Sequence, residues 1–274
     1  MSEGLQVVGQ ALRTGASCAP FRKHLDAERA KTPRATSWTQ VEQPFLEAMA
    51  EFDRAVVAGT ATEGERQNGK GDYFNDLLAL ILEAGSGKDL FTRRLVKGLI
   101  FPNHNLDVTY PNAGVAEMLV EAKMLGTPKH KGSPQQKAVG RPGQADLPKR
   151  AKEVGFKAID LKAGFGLQMS MTGGTPQDGP AGDLQTWSHG AKPRTFFLMA
   201  VRVIDESDLR SCVAAAGNIA RLLDGVGLFA YTNDDLAKPP ATYHAAKYNN
   251  QSIPTDLLLG PVVYRVASIL KSLP

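Results

Sequence analysis

Cysteine is almost missing from this 274-residue chain. Cys18 and Cys212 are the only two, far apart and in no metal-type spacing. That excludes a disulfide-stapled scaffold and a thiolate zinc site, and it points to a reducing, intracellular setting. No apolar run approaches the ~20 residues that a membrane helix needs, so no membrane partner is expected. The opening MSEGLQVVGQ lacks the charged and apolar regions of a secretion signal, so cytoplasmic residence is expected. A phosphate-binding P-loop is lacking too. Around GSGKD, Leu82 stands where the first glycine is needed and Asp89 where Ser or Thr is needed. Those glycines fit a helix end instead.

Apolar residues make up 42% of the chain, ample for a buried core in one large domain or a core with an appended subdomain. The net charge is only +4 with a pI of about 9.0, but it is unevenly spread. Between Thr127 and Lys162 there are nine Lys or Arg and three acids, a balance of +6 that leaves −2 for everything else. A segment of this kind suits a polyanionic partner. Its alternative reading is a solvated basic loop.

The most informative stretch directly precedes that segment. In NLDVTYPNAGVAEMLVEAKM, Asn105 to Met124, apolar residues alternate with polar ones on both sides of a turn-rich link. Leu106, Val108 and Tyr110 alternate with Asp107 and Thr109. Met118, Val120, Ala122 and Met124 alternate with Glu117, Leu119, Glu121 and Lys123. Period two predicts two strands, and PNAGVA predicts their tight connection. A hairpin pivoting on Gly114 places Asp107 opposite Glu121, on one face of the sheet, with Lys123 following on that face. Two adjacent carboxylates repel until a cation neutralises them, and a hard divalent ion with oxygen ligands does so.

Asp107 followed by Glu121-Ala122-Lys123 resembles the active-site motif of the PD-(D/E)xK nuclease superfamily, the fold of many restriction endonucleases. Leu106 stands where that motif's leading proline would be. The resemblance covers roughly Gly69 to Thr232. It implies an α/β fold with a mixed central sheet flanked by helices, restriction-endonuclease-like, behind an N-terminal helical region at 1–66. Residues 67–274 would form the nuclease core, with DNA-binding insertions at about 126–194. It implies a Mg²⁺-dependent endonuclease that hydrolyses DNA phosphodiesters, with Asp107, Glu121 and Lys123 catalytic. Asp107, Glu121 and the Ala122 carbonyl would hold the metal. Double-stranded DNA is the expected substrate, and a homodimer would supply one site per strand. Restriction or anti-phage defence is the expected biology. The alternatives are repair or recombination by the same fold, or a DNA-binding module without activity.

Other elements can be read in order. Leu5–Leu12 and Phe21–Ala30 fit short helices. Trp38, Val41, Phe45, Met49, Phe52 and Val56 form an amphipathic helical stripe, with Thr39 and Glu42 at capping-box spacing and Pro44 at a start or kink. Residues 59–71 read as a polar boundary, and a helix capped by Asp72 follows, with Asp76 and Glu83 as the candidates for the acid that such a helix lends to the site in the nuclease family. Asp89–Lys97 reads as a helix and Gly98–Phe101 as a first strand. Residues 126–144 form a basic loop in which Lys129, His130, Lys131, Lys137 and Arg141 are the candidate DNA contacts. Residues 146–154 read as a helix, and 164–194 as a surface excursion rich in glycine and proline. Thr195–Val203, Glu206–Leu223 and Val226–Tyr231 form a strand, helix, strand unit with parallel strands. Pro261–Leu273 closes with an amphipathic helix. A second acidic-x-Lys triplet, Asp160-Leu161-Lys162, follows Asp146 at the same separation as the first pair and stays open as a rival site.

Overall fold

A computed structural model describes residues 36–111, 114–128, 140–171, 182–233 and 242–274, and the account below concerns these. Its elements are α1 (Trp38–Val57), α2 (Glu63–Ser86), β1 (Phe91–Val96), β2 (His104–Tyr110), β3 (Met118–Leu125), α3 (Leu147–Met171), α4 (Leu184–Gly190), β4 (Arg194–Arg202), α5 (Glu206–Ile219), β5 (Gly225–Thr232), β6 (His244–Ala245) and α6 (Leu259–Ser272). The helices expected at 5–12 and 21–30 lie outside the described residues.

The six strands form one mixed sheet in sequence order, β1 to β6. β1, β2 and β3 run antiparallel, β3, β4 and β5 parallel, and β6 antiparallel again. The parallel pair β4–β5 is joined through α5, the expected crossover unit. Both strands are buried on both faces, which explains their nearly unbroken apolar sequences. Helices cover the two faces. On one side Phe45, Phe74 and Val262, from α1, α2 and α6, meet Val120, Leu198 and Phe229. On the other, Leu147, Val154 and Cys212, from α3 and α5, meet Phe197, Val201 and Leu228. The chain is therefore α/β, with a six-stranded mixed sheet flanked by helices.

Several local expectations give way to tertiary structure. Ser37 caps α1, not Thr39, and the Gln40 carboxamide accepts from its backbone N–H at 3.2 Å; Pro44 is carried inside the helix. α2 begins at Glu63 rather than after Asp72. Thr62 and Glu65 close a capping box there, at 3.2 and 2.7 Å, and the helix runs on through residues 66 and 67. Its glycines weaken helical propensity but do not decide the outcome against the burial of Tyr73, Phe74 and Leu78. It ends at Gly87 with φ +73°, a left-handed cap that glycine adopts freely. Phe91–Val96 is a strand and not a helix, because it pairs with β2 from Phe91↔Thr109 to Val96↔His104. Residues 98–101 form a turn, closed by Gly98 N–H to Phe101 O at 2.9 Å. α3 is one long helix to Met171, so the expected excursion is shorter than 164–194, and Val154, Ala158 and Leu161 belong to the core. The Thr195, Glu206, Val226 and Pro261 elements form within a few residues of their expected limits. Among the described residues no helix is long and apolar enough to cross a membrane.

Candidate functional site

The β2–β3 ladder pairs Tyr110 with Met118, Thr109 with Leu119 and Val108 with Val120. This is the register of a turn centred on Gly114, whose φ is +77°. Asp107 and Glu121 stand one step beyond the last ladder pair, Val108↔Val120. The Asp107 carboxylate accepts the Ala122 N–H at 2.8 Å. This bond turns the Asp107 side chain towards β3.

Lys123 Nζ sits among three oxygens. It lies 2.7 Å from Asp107 Oδ2, 3.1 Å from Glu121 Oε2 and 3.0 Å from the Ala122 carbonyl oxygen. The structure thus brings together Asp107, Glu121, Ala122 and Lys123. Burial disfavours the Lys123 ammonium, but Glu121 and then Asp107 outweigh it and hold its pKa above the ordinary lysine value. Glu121 is almost fully buried, whereas Asp107 and Lys123 are partly open. Its second oxygen, Oε1, is held by Lys157 of α3 at 2.8 Å, and Lys157 also donates to the Asn105 carbonyl at 2.9 Å. Glu121 Oε2, though ion-paired with Lys123, receives no aligned hydrogen bond.

Asp107 and Lys123 face a cleft of about 560 Å³ whose wall also includes Asp72 and Asn75 of α2, Arg93 of β1, and Arg150 of α3. Arg93 adopts φ +57°, a left-handed conformation rare for a side-chain-bearing residue. It occurs between the Thr92↔Val108 and Arg94↔Leu106 pairs, alongside Asp107. Its guanidinium is held by Asp72 at 3.0 Å and by buried Asp76 at 3.2 Å. Asp76 is not on the cleft wall itself but holds Arg93, which is. Glu83 is turned elsewhere and accepts the Leu90 N–H at 3.2 Å.

The donor set suits a small hard cation. Mg²⁺ binds through one or two carboxylates with water completing its shell. Two carboxylates and a carbonyl already converge on one ammonium, and the buried Glu121 Oε2 carries no aligned hydrogen bond. Among the described residues no group of three His, Cys, Asp or Glu side chains forms a metal cluster, so the set here is two acids plus backbone.

The rival triplet does not assemble. Asp160 and Lys162 lie on a helix, where neighbours two apart point to different sides. Asp160 accepts from Ile100 N–H at 2.7 Å, Phe101 N–H at 3.2 Å and His104 Nε2 at 2.6 Å, clamping the β1–β2 loop. Burial works against its ionisation, yet the bonds from His104, Ile100 and Phe101 prevail and hold it below the usual carboxylate range. Lys162 points to Ser188 O, Ala191 O and Asp224 at 2.6–2.9 Å. Asp146 pairs with Arg141.

Of the candidate DNA contacts, Lys129, His130, Lys131 and Lys137 lie outside the described residues. Arg141 is described, bridged through its backbone to Thr127. Sequence reasoning missed Lys157, Arg93, Arg150 and Asp72 as members of the site. In the sequence Lys157 is one of many cations in the basic segment, Arg93 lies in a stretch that reads as helix, and Asp72 reads as a cap. Only the packing of α2 and α3 around β2 and β3 brings them in.

Comparison with known proteins finds no matching family model, no matching curated protein and no matching solved structure.

Proposed function

We propose that this protein is a Mg²⁺-dependent DNA endonuclease of the PD-(D/E)xK type, with a restriction-endonuclease-like core. The reading rests on one observation: Asp107, Glu121 and the Ala122 carbonyl converge on a single cationic position in an open cleft. The order of the elements supports it. Two antiparallel strands carry the acids, a helix packs before them, and a basic helix follows.

Asp107, Glu121 and Ala122 O would hold the ion. When bound, Mg²⁺ lowers the pKa of a coordinated water and stabilises charge on the phosphate oxygens. The chain's own groups do the rest. Lys123 carries a proton at neutral pH and donates hydrogen bonds towards the attacking water and the phosphate. Lys157 fixes the Glu121 carboxylate from behind and is a positioning residue. Arg93 and Arg150 place guanidinium groups on the cleft wall, where they can donate to phosphate oxygens. Cutting both strands of a duplex suits a homodimer, and cytoplasmic restriction or anti-phage defence is the role this chemistry fits best.

The test is incubation of the protein with varied duplex DNA, with and without Mg²⁺, followed by sequencing of the ends. Cleavage that needs Mg²⁺ and disappears in Asp107→Ala and Lys123→Ala supports the reading. Cleavage that survives both substitutions refutes the site. Binding without any cleavage favours a DNA-binding module.

A further inference from the structure

Beside the carboxylate cleft lies a second hollow of about 430 Å³, walled by the first turns of α2, by Gly126 and Thr127 after β3, and by Arg141. Gln67, Met124 and Arg150 line both, so the two are contiguous.

Arg66, on the wall of this hollow, belongs to a buried cluster in which, among the described residues, positive charge exceeds negative. Arg66, Lys70 and Arg202 are each at most 3% exposed. Among the described residues the one carboxylate paired with them is Asp53, 3.0 Å from Lys70 and 3.4 Å from Arg66. Asp53 also accepts from Tyr243 Oη at 2.6 Å. Among the described residues Arg202 donates to neutral acceptors, Thr127 O at 3.0 Å and Asn233 Oδ1 at 3.1 Å, and Thr127 lines the hollow. The Nε atoms of both arginines are buried without a hydrogen-bond partner. At the rim, Glu63 is an opposing charge, while Asp146 is engaged by Arg141 and Arg150 by Glu153. Burying charge without a counter-ion costs several kcal/mol. Three clustered buried cations with one carboxylate among the described residues, and Arg66 on the wall of an open hollow, call for an anion.

We propose that this hollow is an anion subsite for a phosphate group, and that the phosphate is one in the nucleic-acid backbone near the one being cut. The second half of the statement rests on the nuclease reading; the first does not. Burial, with repulsion from Arg66 and Arg202, brings Lys70 down to about 8 despite Asp53, and an arriving anion would relieve that repulsion.

The test uses the full chain at pH 7. Thermal melting in inorganic phosphate, against chloride at matched ionic strength, should show phosphate-specific stabilisation of the wild type. Half-saturation should rise at least ~10-fold in Arg141→Gln and in Arg66→Lys, through loss of charge-assisted hydrogen bonds, and stay put in Lys123→Ala. In metal-free DNA binding, the slope of log affinity on log salt should fall by about 1 in Arg141→Gln. No phosphate-specific stabilisation, or equal stabilisation of the wild type, Arg141→Gln and Arg66→Lys, overturns the subsite. Phosphate stabilisation with an unchanged salt slope overturns the strand assignment. If the wild type cuts no DNA yet phosphate stabilises it through Arg141, the nuclease reading falls and the subsite stands.

Discussion

Asp107 and Ala122 are joined by a hydrogen bond from backbone N–H to carboxylate, 2.8 Å long, at the point where the β2–β3 ladder stops. This bond converts a plain hairpin into a site. It aims the carboxylate at Lys123 and leaves the Ala122 carbonyl on the same ammonium.

Asp107→Asn should separate charge from geometry. An amide oxygen can still accept the Ala122 N–H, so the fold should lose no more than ~1 kcal/mol at this partly exposed position. Mg²⁺-dependent nicking of plasmid DNA should fall on the order of 10³-fold, the scale on which loss of an electrostatic catalytic group acts. Retention of near-full nicking would remove Asp107 from the mechanism.

Lys157→Met should strand the buried Glu121 carboxylate, which would keep only Lys123. The expected cost is about 1–3 kcal/mol in urea unfolding. The Mg²⁺ concentration for half-maximal cleavage should also move, because Glu121 loses the partner that fixes it. Unfolding unchanged and Mg²⁺ dependence unchanged would show that Lys157 positions nothing.

Asp160→Ala should loosen the β1–β2 loop, leaving the Ile100 and Phe101 N–H groups and His104 without their acceptor. A loss of ~2–4 kcal/mol is expected, since several hydrogen bonds to one buried charge go together. The Asp160 pKa is depressed in the fold, so its contribution is present above the ordinary aspartate value and is lost as pH falls through the depressed one. Acid unfolding of the variant should lack that component.

Lys70 gives a slope of the same sign at alkaline pH. Its folded pKa of about 8 lies below its ordinary value of 10.5. Between these, the unfolded chain binds the extra proton, so this lysine's contribution makes stability rise with pH across that window. Lys70→Met should abolish the rise in urea midpoints between those two pH values. Lys123, raised in the fold, adds no loss until the pH passes its ordinary value. A wild type and variant with parallel pH profiles would contradict the assignment.

The sequence alone determined the hairpin. Alternation from Leu106 to Met124 set which residues share a face, and the turn glycine set the register, because both are properties of neighbours in the chain. It likewise marked β4, α5 and β5, whose apolar runs admit few other placements. What only tertiary structure decided depends on partners far away in the chain. Phe91–Val96 became a strand because β2 offered its edge, and the α2 glycines stayed helical because the core covered that helix. Asp160 and Lys162, a convincing motif in one dimension, lie on a helix and serve different neighbours. Arg66, Lys70, Arg202 and Asp53 come from three separate elements, so no local pattern could announce their imbalance of charge; only packing them into one buried volume made it visible.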